Sequence, residues 1–243
     1  AIVFAIGMNF FSYFFSHKMV LAIYKAQPLS KSKAPQVHKM VEDISKTAAI
    51  PKPKVYLIPT ENPNAFATGR NPSNAVVAVT AGIMKILTKD ELKGVLAHEI
   101  GHVKNRDILI STIAATLASV IMYLAMMARF AMIFGGGRND RGNSNIIQLL
   151  VLAIVAPIAA MMIQFAISRS REFMADESSA RLTKQPKHLA SALKKLETAA
   201  KTIPLRMGNQ STASLFIVNP LTGRQFAKFF STHPSTTERV ARL

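Results

Sequence analysis

Apolar and polar positions vary along this chain on three length scales, and each predicts a different kind of element. The longest scale is the uninterrupted apolar run. Residues 108–134 are apolar apart from Ser111, Thr112, Thr116, Ser119, Tyr123 and Arg129, and residues 146–167 hold only Gln148 and Gln164 as strongly polar members. Each run is long enough, as a helix, to cross about 30 Å of hydrocarbon. Residues 135–143 between them offer nothing apolar to bury, so the pair predicts a transmembrane helical hairpin. The competing reading, two buried helices of a soluble core, leaves too little chain to cover them. A third apolar run fills residues 1–16, with Asn9, Ser12 and Ser16 as polar exceptions, and ends at His17-Lys18. It falls short of the roughly 20 residues a span requires. Two readings fit it, a transmembrane helix cut short upstream or an interfacial anchor. The chain opens on Ala1 rather than Met, which favours the first.

The shorter scales mark folded flanks. Val37, Met40, Val41 and Ile44 recur at helical spacing within 34–50, with Pro35 suited to a first turn. Residues 54–58 and 75–80 are β-branched runs bounded by Pro and Asn, hence strands, and 64–68 can add a shorter third. Thr88-Lys89-Asp90-Glu91 has the form of a capping box, flanked by Leu87 and Leu92 as a hydrophobic staple. A helix is therefore expected from Thr88 through Asp107. Residues 187–202 predict another helix, 208–223 a long irregular stretch, and Ser235 to Glu238 a second capping box.

Composition sharpens the membrane reading. The chain has 243 residues, 49% of them hydrophobic, a mean hydropathy of +0.22 and a net charge of +17. Charge of that size favours an anionic partner, a nucleic acid or a membrane surface. Without Trp, and with four Tyr, the nucleic-acid reading is weak, and none is expected as a partner. Only Arg129, Arg138 and Arg141 of the 30 Lys and Arg residues lie in or between the two long runs. By the positive-inside rule the flanks then face the cytoplasm. With no Cys, a metal site would have to use imidazole and carboxylate.

Such a site is suggested by His98-Glu99-Ile100-Gly101-His102. Histidines four apart on a helix share a face and can share a metal, while Glu99 beside them is free to act as a base. Two imidazoles and one carboxylate leave zinc a fourth position for water. Gly101 in mid-helix costs about 1 kcal/mol relative to Ala, which makes sense where backbone or substrate approaches closely. No His stands six residues beyond His102, so a three-histidine site fails and the third ligand must be a downstream carboxylate. Glu172 and Asp176 share a helical face in 168–176, just where the second apolar run ends. That suits one ligand and one carboxylate orienting a histidine; a charged cluster at the end of a span is the plainer reading. An antiparallel hairpin returns both its ends to one surface, which would bring Glu172 to the two histidines.

These stretches together resemble the HtpX-like membrane metalloproteases, gluzincins related to the CAAX prenyl proteases. The likeness is carried by Asn64-Ala65-Phe66-Ala67-Thr68-Gly69, by Leu96-Ala97 with the histidine motif, by Arg-Glu-Phe-Met-Ala-Asp at 171–176 and by Ser231-Thr232-His233-Pro234-Ser235. The resemblance implies one Zn2+ held by His98, His102 and Glu172, with Asp176 supporting the site and four spans in a full-length protein. It also implies that Asn64, Ala65 and Phe66 form an edge strand that pairs with substrate, with a plain structural strand as the alternative. His233, in the family's His-Pro motif, is a candidate donor to the tetrahedral oxyanion, with Arg239 a weaker one; the alternative is that His233 simply precedes the helix begun by the second capping box.

The expected fold is α+β and mainly helical, a transmembrane hairpin with a small sheet beside the histidine helix. Its expected parts are 1–16 as a truncated span, 17–107 and 168–243 as a split cytoplasmic catalytic domain, and 108–167 as the hairpin. The expected activity is zinc-dependent endopeptidase action on misfolded or damaged membrane proteins, in the inner membrane and under stress. Partners are then protein substrates and the bilayer, with association between copies left open. The alternative is a silent scaffold or holdase that keeps the fold. Such a protein need not retain Glu99.

Overall fold

The structure, a computed structural model, describes residues 2–134, 142–202, 217 and 233–243. The turn at 135–141, Ser231, Thr232 and, apart from Ile217, the stretch 208–223 lie outside the described residues. In chain order the elements are α1 (Ile2–Ile23), β1 (Gln27–Pro28), α2 (Pro35–Ala48), β2 (Lys54–Ile58), β3 (Ala65–Thr68), β4 (Val76–Thr80), α3 (Ala81–Ile86), α4 (Lys89–Lys104), α5 (Asp107–Phe134), α6 (Gly142–Thr183), α7 (Pro186–Thr202) and α8 (Thr236–Arg242). The sheet runs β1-β2-β4-β3, with β2 and β4 parallel and the outer strands antiparallel to their neighbours. The α+β, mainly helical expectation holds.

The histidine helix α4 is the centre of the body. Thr88 caps it as its sequence predicts: the hydroxyl accepts from the Glu91 amide and the Glu91 carboxylate accepts from the Thr88 amide. Its buried residues Leu92, Val95, Leu96 and Ile100 meet α2 through Val41 and Ile44, the sheet through Val77 and Val79, and α7 through Leu189 and Leu193. Two glycines let neighbouring helices close in. A Cβ at Gly94 would stand 2.9 Å from the Leu189 amide nitrogen of α7, and one at Gly101 would stand 2.9 Å from Cβ of Ser178 on α6. The close approach inferred at Gly101 is therefore that of α6.

Three elements differ from their sequence reading. The apolar run at the start does not stop at His17-Lys18: α1 continues to Ile23. Val20 and then Tyr24 pack on Ile58, Phe66 and Ala78 of the sheet, which gives the last turns a surface to lie on. The histidine helix ends at Lys104 rather than continuing through Asp107, because Arg106 adopts a left-handed conformation, with φ of 55°, before α5 starts. Conversely, no break separates the second apolar run from the Glu172 motif. Both belong to α6, whose 42 residues make a helix about 63 Å long. A helix twice as long as the hydrocarbon is thick carries its polar end well clear of it.

Two helices among the described residues are long and apolar enough to cross a membrane, over Asp107–Phe130 and Leu150–Thr183. They pack on each other, and α1 packs on α5. Leu117, Phe130, Met162 and Ile163 point outward, a placement that suits lipid rather than water. Pro157 removes the amide that would have bonded the Ala153 carbonyl one turn earlier in α6. Arg129 of α5 supplies the missing donors, Nη2 at 2.9 Å and Nε at 3.2 Å from that oxygen. The one charge in the first apolar run thus satisfies the one proline-freed carbonyl of the second.

Candidate metal centre

His98 and His102 lie one turn apart on α4, and the helix geometry turns both rings toward α6. Their Nε2 atoms stand 3.1 Å from each other. Each ring is oriented from behind through Nδ1, by Asp176 at 2.9 Å for His98 and by Asp107 at 2.6 Å for His102. A carboxylate on the far nitrogen fixes the ring and leaves Nε2 free to ligate. Glu172 of α6 completes the cluster. Its Oε1 is 3.5 Å from His102 Nε2, and its Oε2 is 3.6 Å from His98 Nε2.

Three observations say that this cluster fits a metal. One donor atom from each of the three residues lies within 4.8 Å of the others. The separations of 3.1, 3.5 and 3.6 Å approach the roughly 3.3–3.5 Å spacing that a tetrahedral ion with bonds of about 2.0–2.2 Å imposes. Glu172 Oε2 is buried with no hydrogen-bond partner among the described residues, and although Arg239 Nη1 stands 3.3 Å away as an ion-pair partner, the carboxylate keeps lone pairs directed at the two Nε2 atoms for a cation.

Glu99 stands beside this cluster, 5% exposed. Its Oε2 accepts a 2.8 Å hydrogen bond from the Ala67 amide of β3. Burial pushes its carboxyl above the ordinary range, against the pull of His98 and His102, which suits a group that must accept a proton. Burial would lower the His102 imidazole, but Asp107, with Glu172 and Glu99 close by, carries it up to about 9.

Other predicted residues are placed differently. Asp176 is held by Arg239, which donates from Nη2 to Oδ1 at 2.6 Å and from Nε to Oδ2 at 2.8 Å. Arg239 is 1% exposed, and its Nη1 also donates to the Ile217 carbonyl. It sits behind His98, and its Nη1 also stands 3.3 Å from Glu172 Oε2, so one guanidinium braces both carboxylates of α6. His233 Nδ1 lies 3.3 Å from Glu172 Oε1. β3 is an edge strand, but Asn64, Ala65 and Phe66 are 4%, 1% and 3% exposed. Asn64 accepts from the Thr80 amide through its carbonyl and from the Ile217 amide through Oδ1. The Phe66 ring packs on Tyr24. Ala67, only half-buried, is the most accessible residue of β3. Sequence reasoning missed Ala67, Asp107 and Arg171. Asp107 had one available signal, a carboxylate five residues past the second histidine.

The model of peptidase family M48 matches residues 31–243. The chain belongs to peptidase family M48. A "Protease HtpX homolog" of Syntrophobacter fumaroxidans is 57% identical over 246 residues, covering all of this chain and 87% of that protein. One of Pyrococcus furiosus is 54% identical over 239 residues, covering 98% of this chain and 83% of that one. Among solved structures, S. mikatae Ste24p superposes with a TM-score of 0.63 at 20% identity. That match takes in 99% of this chain, which spans 57% of the Ste24p chain, and it shows a shared fold. As an M48 peptidase with two apolar helices, this protein is a membrane metalloprotease acting on protein substrates.

Proposed function

We propose that this M48 peptidase is a zinc endopeptidase that faces the cytoplasm and cleaves misfolded or damaged membrane proteins. The observation that carries the zinc reading is the convergence of His98 Nε2, His102 Nε2 and Glu172 on one point, with Glu99 beside it. Two imidazoles and a carboxylate are the donor set of catalytic zinc sites, which keep one position open. Zinc in that position would polarise a substrate carbonyl and lower the pKa of water.

The chain's own residues supply the rest. Glu99, pinned by the Ala67 amide, takes a proton from the attacking water and returns it to the leaving amine. His233, beside Glu172, donates to the developing oxyanion, while Arg239 positions Asp176 and through it His98. Substrate backbone runs beside β3 with Ala67 as its point of contact, and Asn64, Ala65 and Phe66 hold the strand in place. Segments 17–107 and 168–243 form the split catalytic domain below the hairpin of 108–167, with 1–16 beginning a further span. The basic flanks support the cytoplasmic orientation. Against a silent scaffold stands Glu99, intact and held in place.

Cleavage of an unfolded protein such as casein, with zinc measured alongside in detergent, tests this. Glu99→Ala should abolish cleavage and keep zinc; Glu172→Ala should lose zinc. Cleavage by Glu99→Ala would sink the mechanism, and a zinc-replete Glu172→Ala protein would sink the ligand set.

A further inference from the structure

The break between α4 and α5 puts an unexpected residue against the metal centre. On an uninterrupted helix Asp107, five residues after His102, would point about 140° away from it. The left-handed turn at Arg106 swings it back, and Asp107 Oδ2 reaches His102 Nδ1 at 2.6 Å. The other oxygen, Oδ1, accepts from Arg171 Nε at 2.5 Å and is also in contact with Arg171 Nη2. Arg171 Nη2 donates in addition to the Asn105 carbonyl at 3.0 Å, one of the carbonyls that the end of α4 leaves unpaired. Asp107 is 6% exposed, and the Arg171 side chain 15%. One guanidinium thus caps the histidine helix and braces the carboxylate that orients its second histidine.

The partners come from the two membrane helices. Asp107 is the first residue of α5, and Arg171 lies on α6 directly before Glu172. We infer that Asp107 and Arg171 are positioning residues for His102, so that the packing of α5 against α6 at the base of the hairpin sets the orientation of one metal ligand and the affinity of the site. This rests on the zinc reading above. A carboxylate on the remote nitrogen of a ligating histidine selects the tautomer and fixes the ring plane, and its loss typically weakens metal binding about 10–100-fold. Arg171 acts one step further back, by keeping Asp107 in place.

The experiment uses the full chain in detergent. Zinc dissociation constants come from competition with a chromogenic chelator, and the cobalt-loaded protein supplies a visible spectrum that reports ligand geometry. The wild type should bind one zinc. A wild type that binds none overturns the proposed function and this inference with it. If it binds, Asp107→Ala and Arg171→Ala should each weaken zinc by about 10–100-fold, shift the cobalt bands, and together cost no more than Asp107→Ala alone. Asp107→Asn, nearly the same size, should weaken binding less; it guards against a variant that merely fails to fold, which far-UV circular dichroism would show. Glu42→Ala, on the exposed face of α2, should leave the constant unchanged. The inference is overturned if folded Asp107→Asn and Arg171→Ala bind zinc as the wild type does with an unshifted cobalt spectrum, or if the two losses simply add.

Discussion

His98 and His102 occupy the same face of one helix, a single turn apart, yet different parts of the molecule hold them. Behind His98 stand Asp176, on the last turns of α6, and then Arg239 of α8, deep inside the body and 1% exposed. Behind His102 stand Asp107, the first residue of α5, and Arg171, five residues before Asp176 on α6, both nearer to solvent. The first support is tied to the stability of the fold, because a buried ion pair that loses one member leaves the other stranded. The second can fail with the body intact. An M48 site of this form is supported from two sides, and each side has its own failure.

Arg239→Ala should be the most damaging change. It strands Asp176 in the interior, so unfolding in detergent should shift by about 3–5 kcal/mol. Arg171→Ala should cost less, about 1–2 kcal/mol, since water can reach Asp107 in its place. Equal losses would erase the contrast. The glycines rank with Arg171. Gly94→Ala drives a methyl into the Leu189 backbone of α7, whereas Gly101→Ala meets the side chain of Ser178 first. Both should cost about 1–3 kcal/mol, Gly94 the more, as thermal melting would show.

Acid should loosen the body side through Glu91. Burial would raise its carboxyl, but Lys195, the Thr88 amide and Ser191 hold it down to about 2, below the ordinary 4.5. A depressed carboxylate stabilises the fold above its ordinary value, and that contribution drains away as pH falls from about 4.5 toward 2. Melting temperatures of the metal-free protein taken across that window should fall more steeply for the wild type than for Glu91→Gln. Smallest of all, Glu42→Ala removes the exposed pairs with Lys46 and Lys52 and should leave the melting temperature essentially unchanged.

Elements driven by local chemistry were legible from the residues. The capping box at Thr88, the periodicity of α2 and the β-branched runs of β2 and β4 each carry their own signal; α2, β2 and β4 formed within a residue or two of their expected bounds, and α4 started where its box said but stopped three residues early. The two-residue β1 and six-residue α3 escaped notice because so short a segment has no period to read. The first histidine pair and Glu99 were visible for the same local reason. Glu172 and Asp176 needed the resemblance and the hairpin topology. Asp107 lay within sight, but as the last turn of a helix assumed to be straight, where it could not have touched His102.

The sequence by itself determined which residues can form helix, strand and span, and which offer metal-binding chemistry, because propensity, capping and hydrophobic period act over a few neighbouring residues. Only the tertiary structure decided what supports them. The left-handed turn at Arg106, the approach of α6 over Gly101 and the arrival of Arg239 behind Asp176 depend on contacts between positions up to 141 residues apart. No local pattern encodes such distances, and the packing of one helix on another sets them.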